Sequence, residues 1–234
     1  MRKWMTVFLS IILMFSLSAC GQTDNSSGNS RNGASAGKEI SSVAKNARIL
    51  ITYFTVPEDE KTSANDAIAG ASIVVKDSEK MGNTEYVAGL VQETIGGDLF
   101  PIETKDAYPL EHDTLVEQAA EEQEKGVRPE LSGHVENFDQ YDIVILGFPN
   151  WWGDLPMPVY SFLEEYDFGA KTIIPFVTHG GSGFSDILNT ISELQPDAHV
   201  SENTLSLSRE DVADGEEEIR EWAEGLGLNM ESSE

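Results

Sequence analysis

Ile143-Val-Ile-Leu-Gly-Phe-Pro-Asn-Trp-Trp-Gly-Asp-Leu-Pro156 decides how this chain of 234 residues is read. A β-branched run stops abruptly in a Gly/Pro/Asn/Trp loop. Beyond it, Val159, Phe162, Leu163 and Tyr166 recur at helical spacing. The pattern predicts a buried strand, an aromatic loop at its carboxyl end, and a helix. In open α/β sheets, ligands sit outside the carboxyl ends of the strands. Two adjacent tryptophans at such a place are costly to leave in water and call for a partner surface or a ligand.

Working outward, the same alternation repeats. Arg48–Phe54 reads as a first strand, nearly continuous in apolar residues and so buried on both faces. The chain then runs through a mostly polar insertion at about 56–81, with one apolar patch at Ile73–Val75 that predicts a small hairpin or excursion. Val87, Leu90, Val91 and Ile95 predict a helix opening at Gly82, capped by Asn83 or Thr84 and closed by Gly96-Gly97. Asp98–Glu103 is a second strand, Leu110–Gly126 an acidic helix, and Asp142–Gly147 the third strand. Lys171–Val177 is the fourth, with Pro175 predicting a local irregularity. Ile187, Leu188, Ile191 and Leu194 mark a helix, His199–Leu207 an edge strand, and Ile219, Trp222, Ala223 and Leu226 a last helix. Five strands alternating with helices predict an α/β fold of three layers. Its economical form is a five-stranded parallel sheet of order 2-1-3-4-5 with helices on both faces.

Composition narrows the chemistry. The formal charge is -26, from 15 Lys+Arg against 41 Asp+Glu. Such a surface repels nucleic acid and anionic headgroups, which excludes DNA and RNA as partners. A single cysteine, Cys20, rules out an internal disulfide and a cysteine-based metal site. His112, His134, His179 and His199 are scattered without metal-ligand spacing, so no metal is expected.

The amino terminus carries an address. Arg2 and Lys3 precede an apolar run from Trp4 to Leu17, closed by Ser18-Ala19-Cys20. The run is short for a membrane span, which needs ~20 apolar residues. Leu17-Ser-Ala-Cys20 resembles the processing site of bacterial lipoproteins, which implies a signal peptide over 1–19 and a lipid on Cys20. Residues 20–46, rich in Ser, Asn, Gly and Ala, read as a flexible tether. The folded domain is expected over 47–229 and a disordered tail over 230–234. The expected location is the extracytoplasmic face of a bacterial cell membrane, held there by lipid.

In the 2-1-3-4-5 order, the loops after strands one, three and four meet. The first offers hydroxyls from Thr55 and Thr84 and the helix start at Gly82-Asn83, an anion site of neutral donors. The second offers Pro149, Asn150, Trp151, Trp152 and Gly153, with flat aromatic faces. The third offers Thr178, His179, Gly180, Gly181 and Gly183, whose backbone can approach a flat ligand. A phosphate at one end and a planar ring at the other describe FMN. We expect Trp151 nearer the ring and Trp152 packing the loop down.

From Arg48 to about Leu228 the chain resembles the flavodoxins, specifically flavodoxin-like proteins with a Trp-Trp-Gly loop. The motifs that carry the likeness are Ile49-Leu-Ile-Thr-Tyr-Phe-Thr55, Gly82-Asn-Thr-Glu-Tyr-Val-Ala88, Pro149-Asn-Trp-Trp-Gly-Asp-Leu-Pro156 and Pro175-Phe-Val-Thr-His-Gly-Gly-Ser-Gly183. The resemblance implies non-covalent FMN binding and electron transfer. It places Thr55, Gly82, Asn83 and Thr84 at the phosphate, Pro149–Trp152 at one side of the ring, and Thr178–Gly183 at the other. The insertion between Thr55 and Gly82, which splits the phosphate loop, is a departure from the family pattern. An acidic surface would disfavour an anionic reduced flavin. The Gly180–Gly181 peptide would be free to turn toward the ring, and His179 to tune its charge.

Two alternatives remain at this point. One is an FMN-dependent NAD(P)H:quinone or other small-molecule reductase. The other is a lipoprotein that keeps the fold as a non-redox binding or scaffolding module. The partner is expected to be a redox protein or a small electron acceptor.

Overall fold

The computed structural model describes residues 47–58, 72–76 and 79–228. The expected signal segment, Cys20, the tether, most of the insertion and the tail lie outside the described residues. Strand β1 (Ile49–Tyr53) is buried along its whole length. It lies between β4 (Asp98–Pro101) and β5 (Ile143–Pro149), parallel to both. Strand β6 (Thr172–His179) pairs in parallel with the other side of β5. This is the expected doubly wound order for the first four strands of the sheet.

The alternation of β1 and β5 assigns the layers. Ile49, Ile51, Tyr53, Ile143 and Ile145 face one core, packed under Val87, Leu90 and Val91 of α1 (Asn83–Ile95) and Ile219 and Ala223 of α5 (Glu216–Gly225). Leu50, Val144, Leu146 and Phe148 face the other. That core is closed by Phe162 and Leu163 of α3 (Met157–Glu165), by Ile187 and Ile191 of α4 (Ile187–Leu194), and by Leu115 of α2 (His112–Lys125). Each such side chain, fully removed from water, contributes about 1.5–3 kcal/mol. Phe148, Phe162, Phe168 and Phe176 are among those that reach full burial.

The fifth strand departs from expectation. It is two pieces, β7 (His199–Val200) and β8 (Leu205–Ser208), each parallel to β6. Pro175 supplies the reason. The Thr172 N–H donates to Asp142 and the Thr178 carbonyl accepts from Asn150, so the even residues of β6 turn their polar groups toward β5. The Ile173 and His179 carbonyls accept from Ser201 and Arg209, so the odd residues turn to the edge. Pro175 belongs to the odd set and has no N–H to offer. The edge strand pairs with 172–173 and again with 176–179, and leaves 174–175 without a partner. The irregularity expected inside β6 therefore falls on its neighbour, while β6 itself runs unbroken against β5.

The insertion contains an antiparallel hairpin of β2 (Ile73–Lys76) and β3 (Glu79–Gly82), at the place the apolar patch marked. Lys76 reaches Glu216 at 2.7 Å and ties the hairpin to the start of α5. Strand β3 runs straight into α1, so the hairpin delivers the start of that helix to the carboxyl end of β1.

Candidate functional site

The carboxyl ends of β5 and β6 and the start of α1 enclose a cleft with about 690 Å³ of empty space, its mouth included. Asn83, Pro149, Asn150, Trp151, Trp152, Thr178, His179 and Gly180 all line it. Thr55, Gly82, Thr84, Gly153, Gly181 and Gly183, also expected there, do not.

The helix start explains several of these differences. Gly82 takes the N-cap position, and the Glu85 carboxylate accepts its N–H at 3.2 Å, so neither Asn83 nor Thr84 caps α1. Thr55 packs on Gly82 so closely that a Cβ at 82 would stand 1.9 Å from the Thr55 hydroxyl. Thr55 opens instead onto a shallower groove with Val56, Ile102 and Tyr108. The chain leaves β1 into the insertion, and this carries the threonine away from the cleft. Thr84 is buried, its hydroxyl 2.9 Å from that of Thr178, so the pair forms a neutral bracket beneath the cleft.

Asn83 is different. Its backbone N–H donates to Ser72 at 2.9 Å. Its side chain is 1% exposed, and neither amide atom has a hydrogen-bond partner. A buried amide left unpaired costs about 1–3 kcal/mol. Here it lines the cleft in the first turn of a 13-residue helix, where the dipole favours an anion.

The aromatic loop is a miniature hairpin. Trp151 and Asp154 exchange backbone hydrogen bonds of 3.1 and 3.0 Å, and the two residues between them, Trp152 and Gly153, have φ of 54° and 81°. Positive φ at both central positions is the signature of a type I′ turn, normally given to Asn or Gly. Trp151 is wedged edge-on between Phe54 (5.2 Å) and Tyr108 (5.5 Å). Trp152 is 61% exposed, and its indole N–H donates to the Val116 carbonyl of α2 at 3.3 Å. The packing role expected of Trp152 falls to Trp151, while both rings line the cleft and Trp152 presents the more open face.

Asn150 binds the two loops together. Its amide nitrogen donates to the Gly183 carbonyl (2.7 Å) and to Ser185 (3.1 Å), and its oxygen accepts the Gly153 N–H (2.9 Å). Gly183 and Gly153 thus act as partners of this clasp rather than as walls. Gly181, with φ of 119°, turns the third loop and donates its N–H to Nδ1 of His179 at 2.9 Å. Nδ1 is therefore an acceptor and Nε2 carries the proton. Burial lowers the His179 pKa from the usual histidine value, with Asp211 pulling the other way, which favours the neutral ring.

The structure adds walls that the sequence did not mark. Glu58 and Ser72 come from the two described ends of the insertion, and Arg209 from beyond β8. His112, Leu115, Val116 and Ala119 come from α2, which the sequence marked only as an acidic helix. Arg209 lies over Gly180, its guanidinium carbon 3.6 Å from where a Cβ would stand. The cleft so built has neutral donors and a helix start at one part of its wall, and an aromatic face, a glycine backbone and an arginine elsewhere. Among the described residues no cluster of His, Cys, Asp and Glu could hold a metal ion, and no helix is long and apolar enough to cross a membrane.

Fold and cleft together define a doubly wound α/β protein with an open cleft at the carboxyl ends of its strands, where such folds take their ligands. A flavodoxin family model matches residues 72–226, and the chain belongs to the flavodoxin family. Among solved structures, it is similar to a proposed flavoprotein from Bacteroides eggerthii, with 24% identity and a TM-score of 0.58, over 79% of this chain and all of that one. A proposed flavoprotein from Bacteroides uniformis is 26% identical with a TM-score of 0.54, over 73% of this chain and 97% of that one. A flavoprotein from Lactobacillus acidophilus, solved in complex with FMN, is 14% identical with a TM-score of 0.51, over 74% and 99%. No curated protein matches the sequence.

Proposed function

We propose that the chain binds FMN in this cleft and works as an electron carrier. The observation that carries the reading is Asn83: a buried amide without a partner, in the first turn of α1, facing the same cleft as Trp152 and the His179–Gly180 backbone. An FMN phosphate satisfies the amide and the helix dipole without a lysine. Trp152 offers a flat face to the ring, and Gly180 a backbone free of side chain. FMN, when bound, takes up and releases electrons singly or in pairs. The residues of the chain hold it, shape its access to water and set the charge around it. The FMN complex of the Lactobacillus relative supports the same cofactor here.

The finer reading concerns place and partner. Lipid on Cys20 would hold the carrier at the extracytoplasmic face of the membrane, with residues 20–46 as tether and a redox protein or small molecule as acceptor. Changing Cys20→Ser should move the protein from the membrane to the soluble fraction; an unchanged distribution would sink that part.

The absorbance spectrum of the purified full chain tests the core claim. Flavin bands near one equivalent are expected, directly or after adding FMN and desalting. A chain that retains none would overturn the reading. A second reading, an FMN-dependent reductase of a planar small molecule, draws on one observation. Leu115, Val116 and Ala119 of α2 give the cleft an apolar wall that an acceptor can use. Oxidation of NADPH with quinones by the loaded protein would favour it.

A further inference from the structure

Glu58 is an anomaly. It follows β1 in a polar stretch, yet it is 5% exposed, and a carboxylate taken out of water costs several kcal/mol unless paired. Its carboxylate lies 2.7 Å from Nδ1 of His112, and both residues line the cleft. His112 opens α2, but the helix does not need it as a cap: Glu111 accepts the N–H groups of Asp113 (3.3 Å) and Thr114 (2.9 Å). The pair therefore has no evident duty at the helix end.

The carboxylate fixes the state of the ring. A carboxylate beside Nδ1 makes that nitrogen the protonated one in neutral imidazole and leaves Nε2 as a proton acceptor. His179, on another wall of the same cleft, is set the opposite way: Nδ1 accepts from Gly181, and Nε2 holds the proton. One cleft thus holds two imidazoles of opposite tautomer, one able to give a hydrogen bond and one able to take up a proton. Around His112 stand Glu58 from the stretch after β1, Glu111 just before α2, and Asp113 in its first turn. His179 and Arg209 lie on another wall of the cleft.

We propose that His112 is the proton store of the cleft, with Glu58 as its positioning partner. Nε2 takes up a proton when the bound ligand gains negative charge and releases it when that charge leaves. The proposal rests on the FMN reading. The two electrons come from an external donor of the nicotinamide or low-potential protein class. For two electrons and one proton delivered to FMN, His112 takes a second proton from water, and the net charge of the cleft is unchanged.

The midpoint potential of the FMN-loaded full chain, followed over about pH 5–8, tests this. Each proton taken up per two electrons shifts the equilibrium tenfold per pH unit, which is 29.6 mV. The wild type should show a segment with twice that slope. His112→Gln should keep the single-proton slope throughout. Glu58→Gln should move the steep segment to lower pH, because the ring has lost its anionic partner. Equal slopes in wild type and His112→Gln, with flavin bound in both, would overturn the proposal and leave FMN binding intact. A wild type that binds no FMN would overturn both. An NMR titration of His112 in the oxidised and reduced wild type decides the matter if the variants fold poorly. The midpoint should rise on reduction, and equal midpoints would count against the proposal.

Discussion

The N–H of Gly181 donates to Nδ1 of His179 at 2.9 Å, and so fixes the orientation of the Gly180–Gly181 peptide at the wall of the cleft. Turning that peptide toward a ligand breaks the bond. The imidazole therefore sets the cost of the motion, at about the 0.5–1.5 kcal/mol of one hydrogen bond.

The first prediction concerns pH. Burial lowers the folded His179 pKa below its usual 6.5, because the charged ring is penalised and Nδ1–H cannot accept from Gly181. A group whose folded value is depressed contributes stability that is full above the unfolded value and is lost as the pH falls through the folded one. The thermal midpoint should therefore fall as the pH drops below 6.5. His179→Gln should flatten part of that decline. Identical pH profiles of melting for the two proteins would refute the assignment.

Trp151 and Trp152 should separate cleanly under mutation. Trp151 is in van der Waals contact with the Phe54–Tyr108 cluster, so Trp151→Ala should cost about 3–5 kcal/mol in urea unfolding. Trp152 stands at φ 54° with its ring mostly in solvent. Trp152→Gly removes about 1–2 kcal/mol of backbone strain and should leave the fold as stable as before, or more so. Flavin affinity should nonetheless fall, by tenfold or more on titration with FMN. A large stability loss at 152, or none at 151, would contradict the division of roles.

Asn150 is predicted to act through its neighbours. Asn150→Ala removes three hydrogen bonds that join the Trp loop to the glycine loop, a loss of about 1–3 kcal/mol. Hydrogen exchange should rise at the Gly153 amide, whose acceptor is lost. Asn150→Asp keeps that acceptor and loses the two donors, so its Gly153 amide should stay protected.

How far the sequence could be read follows from which signals are local. The order of β4, β1, β5 and β6 was legible because each strand is a short apolar run bounded by turn residues. The break between β7 and β8 was not, because Pro175 acts on the neighbouring strand, and the parity of its missing N–H exists only once the register is known. Pro149–Trp152 and Thr178–Gly180 share one cleft because they end adjacent strands. Their division of labour was hidden, since Trp is not a residue that announces a type I′ turn. Glu58 was lost among the acids of Pro57-Glu-Asp-Glu60, where nothing local marks a carboxylate for burial. Arg209 and α2 reach the cleft only through tertiary packing.

Asn83 gives the sharpest contrast between stability and binding. Its amide is buried and without a hydrogen bond in the described structure, so the folded protein bears the desolvation cost of a group it does not use. Asn83→Leu replaces the amide by an apolar side chain of similar size. In the ligand-free protein this should be neutral or stabilising, by up to about 1–3 kcal/mol in urea unfolding, because the unpaired group is gone. FMN binding should suffer in the opposite sense, since the first turn of α1 then offers the phosphate the helix dipole but no amide. A tenfold or greater loss of affinity for FMN is expected. Riboflavin, which lacks the phosphate, should bind wild type and variant alike. If Asn83→Leu unfolded more easily, the amide would have a structural partner. If FMN and riboflavin lost affinity equally, the phosphate would lie elsewhere in the cleft.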